Sequence, residues 1–485
     1  MKNHFVRTLF FLPIFAALLP DQAYCAEALS EEKAAVAASI DAKADRYTAL
    51  SRRIWEFAEL AFVETDSSKS LQNLLREEGF AIRAGVAGLP TAFIAEWGEG
   101  APVLAFLGEF DALPGMSQTV FAEKKPLVAG APGHGCGHNL LGVGAAAAAV
   151  ATKEWLEKTN TPGTVRFYGC PAEERGNGKR FLVLDGLFDD VDAAITWHPA
   201  SDNSVNTNQT ISINTAKFKF FGEPAHAAVA PHHGRSALDG VEAMNYMVNL
   251  MREHVDSGAR IHYVITDGGE VPNIVPEYAE VYYWVRHHDA KTLDDISSRI
   301  AKAAEGAAMG TGTRVEYAIK SGTAGTRLNR TLSEAALANM QELPRIEYQP
   351  ATLELLRALC PSFDGARHQQ VAKACSSGKI PGGSDVGFVS MAVPTIWVNA
   401  FCMPPSVSLH TWKAVVCAGS PVGEQGMLYA AKTMALAAVD VYGDPELLKA
   451  AKAEFREMRG TDEPYRPTPD TPELDMYRDT VNRQR

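Results

Sequence analysis

The chain has 485 residues, 46% of them hydrophobic and 21% charged, and its 58 acidic against 46 basic side chains give a net charge of −12. This is the composition of a globular protein of two or three domains, large enough to build its cores without disulfides. With no basic stripe, nucleic acid is excluded as a partner, and the acidity serves solubility.

The N-terminus carries Lys2 and Arg7 ahead of an apolar run at residues 8–19, then small residues with Ala23-Tyr24-Cys25 as a cleavage site. That layout predicts a secretory signal peptide over residues 1–25. The run is too short for a stable bilayer anchor, and no later stretch has transmembrane character. An exported protein, periplasmic or secreted, is expected, free of the membrane once the signal is removed. Export permits disulfides; Cys360 with Cys375 and Cys402 with Cys417 are possible pairs that sequence leaves open.

After the signal, apolar positions recur at helical spacing over residues 33–60 and 67–78. Short apolar runs then alternate with helical stretches: "PVLAFLG", "GTVRFYGC", "DAAITWHP" and, late in the chain, "PTIWVNAF". The pattern predicts an α/β sheet covered on both faces, in which ligands gather at the carboxyl ends of strands. Glu109, Asp111, Glu173, Glu174 and His198 all fall at such ends.

The middle of the chain reads strand, helix, strand, strand, helix, strand, the ferredoxin-like split unit. The expected organisation is a catalytic α/β domain over 27–212 and 325–445, an inserted ferredoxin-like dimerisation or lid domain at 213–324, and a polar C-terminal extension at 446–485. Its tail at 459–485 is polar and proline-rich and reads as an extended arm. A four-stranded sheet with helices on one face leaves an open edge and a bare face, so a homodimer is expected.

The chemistry-bearing residues are spread along the chain. Cys136 and His138 lie two residues apart between glycines at the mouth of a helix, where the positive helix end favours thiolate. Thiolate and neutral imidazole are zinc ligands, but a buried thiol beside a hydrogen-bonded histidine reads equally well from this motif alone. His134 reads as a loop residue near the site. Glu173 and Glu174, adjacent in "PAEE", point opposite ways in extended backbone, so one can bind metal while the other faces a substrate. His198 in "TWHP" and His410 in "SLHTW" complete a set large enough for two metal ions and a bridging water, a device for hydrolysis. A thiol redox role for Cys136 lacks a nearby resolving cysteine. "GGSDVGFVS" lacks the lysine of a phosphate loop, and the chain has no Gly-x-Ser-x-Gly elbow.

The motifs "GEFDALPG", "GHGCGHNLLGVG", "PAEE", "TWHP", "GRSALDGVEAMN", "PNIVP", "GGSDVGFVS", "LHTW" and "GMLYAAKTMAL", in this order, resemble the metal-dependent amidohydrolases. That family includes aminoacylases, carboxypeptidase G-type enzymes and auxin-conjugate hydrolases, and within it the chain is most similar to the aminobenzoyl-glutamate hydrolase B-subunit type. The resemblance implies Cys136, His138, Glu174, His198 and His410 as ligands of two divalent metal ions, zinc or manganese, and Glu173 as general base. Many relatives carry a metal-binding histidine where this chain has Glu109, and many carry aspartate where it has Asn139. Asp111 would orient His138 or another ligand. By the same resemblance His226 reaches an active site, often the partner subunit's, and Asn273 and Arg286 hold the substrate carboxylate or the reacting carbonyl. The implied reaction is hydrolysis of an amide beside a free carboxylate, in an aminobenzoyl-glutamate-like molecule. An N-acyl amino acid or small dipeptide is the close alternative, and a non-catalytic exported metal or ligand receptor the one of another class. A B-type subunit also implies a possible partner chain.

Overall fold

The computed structural model describes residues 29–461, 463–469 and 471–474. The expected signal segment 1–25 and Cys25 lie outside them. The first helical pattern is two helices, Glu31–Ala42 and Ala44–Phe57, because the chain leaves helical geometry at Lys43. A third helix, Thr65–Glu77, follows.

In chain order come β1 (Ala81–Ala84), β2 (Phe93–Glu99), β3 (Val103–Glu109), β4 (Gly163–Cys170), β5 (Ala193–Ala200) and β6 (Ser204–Asn206). The inserted unit supplies β7 (Ser212–Phe221), β8 (Arg260–Asp267), β9 (Tyr278–His287) and β10 (Arg314–Thr323), and β11 (Thr395–Phe401) returns to the first sheet. That sheet has the order β1-β2-β4-β3-β5-β11-β6. Its centre is parallel: β3 runs beside β4 and β5, and β5 beside β11. Their carboxyl ends therefore share one edge, with Glu109 level with Cys170 and His198 level with Asn399.

The apolar runs are continuous because both faces are covered. Leu104 and Phe106 pack under the helices His138–Thr159 and Pro421–Gly443, while Ala105 and Leu107 pack on the opposite side with Phe181 and Phe388. Trp197 locks the first of these helices to β5 by donating its indole N–H to Leu141 O at 2.9 Å.

The second sheet is antiparallel throughout, ordered β10-β7-β9-β8. Ala216, Phe218 and Phe220 point under helices Ala237–Met251 and Ala290–Thr311. The other face is not bare along its whole length. Ile213, Thr215, Tyr282, Trp284 and Lys320 roof a cavity over the carboxyl edge of the first sheet. The edge strand β8 stays open, with Tyr263, Val264 and Ile265 exposed.

Two further differences from the sequence reading have simple causes. Residues past 445 begin with a helix, Pro445–Arg459, rather than a polar extension. Its narrow apolar stripe (Leu448, Ala451, Phe455) is buried, and Asn329 Nδ2 donates to Ala451 O at 2.9 Å. The six described cysteines are all free thiols, so neither Cys360–Cys375 nor Cys402–Cys417 is bridged. No helix among the described residues is long and apolar enough to cross a membrane.

Gly142 shows which force sets the helix position. A Cβ there would sit 2.6 Å from Glu109 O, a backbone atom that cannot swing away. Helix propensity alone favours alanine by about 1 kcal/mol. Overpacking costs about 1–3 kcal/mol and is expected to win, so Gly142→Ala should lower the urea midpoint. A raised midpoint would show that helix and strand end are not in tight contact.

Candidate metal centre

The centre forms where β3, β4 and β5 end and the helix His138–Thr159 begins. Gly137 caps that helix in the left-handed region (φ 76°), a turn that costs glycine little, and it leaves Cys136 and His138 on either side. His410 arrives from the loop after β11. It too is left-handed (φ 60°), an uncommon state for a residue with a Cβ, and its N–H donates to Gly135 O at 2.8 Å. That bond ties the late loop to the Cys136 loop across the site.

The sequence-derived residues converge. Cys136 Sγ lies 3.3 Å from His198 Nε2, and His410 Nε2 lies 3.2 Å from Glu174 Oε1. Donor atoms of Cys136, His138 and His198 lie within 4.8 Å of one another; so do those of Cys136, Glu174 and His410, and of Glu109, His138 and Glu173. Asp111 joins two parts of this arrangement: Oδ1 lies 2.8 Å from His138 Nδ1, and Oδ2 accepts the Glu174 N–H at 2.9 Å. The His198 ring is oriented by a 2.8 Å bond from Nδ1 to Pro199 O, which leaves Nε2 as the lone-pair side toward Cys136.

Two buried atoms bear on what the cluster is built to hold. His138 Nε2 sits 3.1 Å from Glu109 Oε2, and Glu174 Oε1 faces His410, yet neither makes a hydrogen bond. In a neutral ring whose Nδ1–H goes to Asp111, Nε2 presents a lone pair to a carboxylate. Burial opposes a charged His138, but Cys136, Asp111 and Glu109 outweigh it and hold its pKa well above the ordinary histidine value. Burial pushes the Cys136 thiol up, and it pushes Glu173 well above the usual carboxylate range with help from Glu109 and Asp385. These are the marks of a site arranged for more positive charge than the chain itself provides.

Sequence reasoning missed several residues. Lys179 is fully buried, its Nζ 2.6 Å from both Glu109 Oε1 and Asp385 Oδ1. Burial works against its charge, but the two carboxylates hold its pKa well above the ordinary lysine value. Glu64 is buried behind Asp111, its carboxyl pushed up to about 8 by burial and then by Asp111. It accepts bonds from Thr91 Oγ1 at 2.8 Å and from the Ala172 N–H at 2.9 Å, so it holds the start of the "PAEE" turn. Asn139 does not face the cluster. Its Nδ2 donates to Ser51 Oγ and Ala418 O, each at 3.0 Å, fastening the helix start to its neighbours. His134 likewise bonds Ile54 O at 3.0 Å, and burial lowers its pKa to about 4.

The inserted-domain residues are not brought to the cluster. His226 and Asn273 sit on two exposed loops joined by the Ala227 N–H to Asn273 O bond, and neither lines the cavities that contain Glu173. Arg286 stacks on Trp284, 4.9 Å from its ring centre, and Trp284 lines the cavity of about 540 Å³ that also holds Glu173, Glu174 and His410.

Asp111→Asn keeps the shape but swaps one acceptor for a donor facing either His138 or the Glu174 N–H. Divalent-metal affinity, measured by competition with a chromophoric chelator, should fall about 10- to 100-fold. An unchanged affinity would show that Asp111 does not hold the ligand side chains.

A protein-family model for Peptidase family M20/M25/M40 matches residues 105–472. The chain is 38% identical to the B-type subunit of p-aminobenzoyl-glutamate hydrolase from Escherichia coli, across 88% of this chain and 95% of that protein. It is 31% identical to human Xaa-Arg dipeptidase, across 86% of this chain and 90% of that protein. Among solved structures, a dinuclear metal-binding peptidase of the M20 family from Bacillus subtilis covers 83% of this chain and 99% of its own, with 22% identity and a TM-score of 0.57. Strand-end carboxylates, the Cys-x-His turn and these matches agree: the chain belongs to peptidase family M20/M25/M40, hydrolases of the metallopeptidase and amidohydrolase kind.

Proposed function

We propose that this protein hydrolyses the amide bond of an aminobenzoyl or N-acyl amino acid that carries a free carboxylate, with aminobenzoyl-glutamate as the leading substrate. The observation that carries the reading is the convergence of Glu173 with a cluster of thiol, imidazole and carboxylate donors at one sheet edge. The name of the Escherichia coli relative supports the choice of substrate. The human relative's name keeps small dipeptides as the second reading.

The donor set fits two divalent cations. Cys136, His138, Glu174, His198 and His410 would hold them, and the unpartnered His138 Nε2 and Glu174 Oε1 are two of the atoms that need one. The soft thiolate favours zinc, while the oxygen and imidazole donors also accept manganese. Bound, the cations supply Lewis acidity toward an amide carbonyl and a water. Glu173 takes the proton of the attacking water and delivers it to the leaving nitrogen, two transfers by one carboxylate. Its raised affinity for a proton suits the first of these, and the Lys179 ion pairs hold the carboxylates behind it in place. Arg286, on the same sheet face as the cavity-lining Trp284 and 4.9 Å from its ring centre, carries a planar fork suited to the substrate carboxylate.

The protein is exported and works as a homodimer in this proposal. The open edge of β8 and the exposed loops carrying His226 and Asn273 support a second copy, with His226 serving the site of its partner. Because the name of the Escherichia coli relative marks it as one subunit of a hydrolase, a different chain is the other candidate partner.

Glu173→Gln should retain fold and metal yet lose turnover of aminobenzoyl-glutamate by about 10²- to 10⁴-fold. Near wild-type amine release would remove Glu173 from the role. The dimer can be tested by complementation. His226→Ala and Glu173→Gln subunits, each inactive alone, should regain about a quarter of wild-type activity when refolded together in equal amounts, as random pairing of isologous subunits requires. Failure to recover activity, with mixed dimers present by mass, would place His226 in its own chain's site or outside catalysis.

A further inference from the structure

Between β3 and the helix His138–Thr159 the chain makes a long excursion without strand or helix. Leu113 and Gly133 close its base with two mutual backbone bonds of 3.0 Å, three residues before Cys136. Inside it the Ser117 N–H donates to Ala131 O and the Thr119 N–H to Lys125 O. Gln118 is buried at its centre, where Nε2 donates to Glu123 O at 2.6 Å and Oε1 accepts the Lys125 N–H at 3.0 Å. The excursion is thus an ordered knob beside the Cys136 loop. Its tip is apolar, with Phe121 65%, Leu127 59% and Val128 63% exposed, and it carries Lys124 and Lys125 in the open. Large apolar side chains held in water by an internal scaffold mark a preorganised contact surface.

The inserted domain carries a second patch, also apolar but of opposite charge. β8 ends at Asp267, and the loop after it is zipped to the His226 loop. The Ala227 N–H donates to Asn273 O and the Val275 N–H to Ala225 O, both at 3.0 Å, so the two loops form one flap. Val229, Val271 and Ile274 are exposed on it, near Asp267, Glu270 and Glu277. Among the described residues Lys124, Lys125, Glu270 and Glu277 form no ion pair within the chain.

We propose that the knob of one copy seats the flap of a second copy. The apolar tips meet, and Lys124 and Lys125 face the acidic side chains around Glu270. About a two-fold axis the contact is made twice, knob to flap and flap to knob, so the assembly closes at two chains and leaves neither patch over. Because the knob rises beside the Cys136 loop, the seat brings the flap, with His226 and Asn273, to the mouth of the other copy's cleft. The inference rests on the homodimer reading above and deepens it by naming the surface of the catalytic domain that receives the second copy. The apolar contact supplies the affinity and the charges set the register, since an exposed ion pair changes a binding constant by only roughly two- to fivefold.

The test places benzoyl-phenylalanine at position 121 of the full metal-loaded chain. Light chains and heavy-isotope chains are refolded together in equal amounts and illuminated, and crosslinked peptides are read by mass spectrometry. Light-to-heavy links from position 121 to residues 223–234 or 267–277 are expected. Links confined to one chain, or to other surfaces, in a protein that light scattering shows to be dimeric would overturn the seat and leave the homodimer standing. A single-chain mass at every concentration would overturn both. Lys124→Glu combined with Lys125→Glu should raise the dimer dissociation constant about three- to tenfold at low salt, and adding Glu270→Lys should restore it. Loss without rescue would set the two lysines against a different surface and overturn the pairing.

Discussion

The centre depends on one carboxylate that is not itself among the expected metal ligands. Asp111 leaves the end of β3 and spends one oxygen on the His138 ring and the other on the Glu174 backbone. A helix start and a strand-end turn, 36 residues apart in sequence, thereby acquire a common reference point. Neither could be positioned by local structure. The 133–137 loop is glycine-rich, and the "PAEE" turn begins at Ala172 with φ in the left-handed region. Glu64 holds that turn from behind, through the Ala172 N–H. The ligand directions are thus inherited from a sheet edge through two buried carboxyl groups, and the order of the sheet becomes the order of the site.

Charge balance is the second constraint. Glu109 and Asp385 pair with the buried ammonium of Lys179, and Asp111, Glu173 and Glu174 lie in the same metal-donor region. Lone carboxylates cannot remain ionised in such a place. Lys179 answers for Glu109 and Asp385, and breaking one side of a buried pair of this kind costs about 3–5 kcal/mol. Cys136, Asp111 and Glu109 raise the proton affinity of His138 against the effect of burial, and burial together with Glu109 and Asp385 raises that of Glu173. Glu109 has one oxygen committed to Lys179 and the other 3.1 Å from His138 Nε2, so it joins the internal ammonium to the imidazole of the cluster.

The legible part of this architecture is the part written in periodicity and strand ends. Continuous apolar runs such as "GTVRFYGC" can be buried on both faces only in a covered sheet, and the polar residues that follow them must then meet at its edge. The motifs, in their order, point to the family that the comparisons show. What sequence cannot display is direction. Lys179 stands in "RGNGKRF", a stretch of small and charged residues with no apolar period, yet the helix Gly178–Leu184 that it opens is buried from Gly178 to Val183. Asp385 is hidden in a glycine-rich motif for the same reason. Asn139 reads as a lost charge at the metals because it follows His138, but on a helix neighbouring residues face about 100° apart, and its amide points to Ser51 and Ala418 instead. The helix Pro445–Arg459 is lost among charges because its apolar stripe is one residue wide per turn.

The inserted sheet shows how one alternating pattern can serve three surfaces. Every second residue of β7, from Ala216 to Phe220, goes to the domain's own core. The intervening residues divide by position. Those near the start of the strand, Ile213 and Thr215, face the cleft, and those farther along, Lys217 and Lys219, face solvent or the adjoining cavity. Strand register carries this division across the sheet, so that Trp284 and Lys320 fall in the same row as Thr215. The third surface is the open edge of β8, whose side chains are exposed on a strand with one neighbour. A roof built this way can contribute aromatic and cationic groups to the cleft without burying them in its own core. Among the described residues no further strand pairs with β8, so its outer edge stays open apart from the bond that Ile261 O accepts from Arg252.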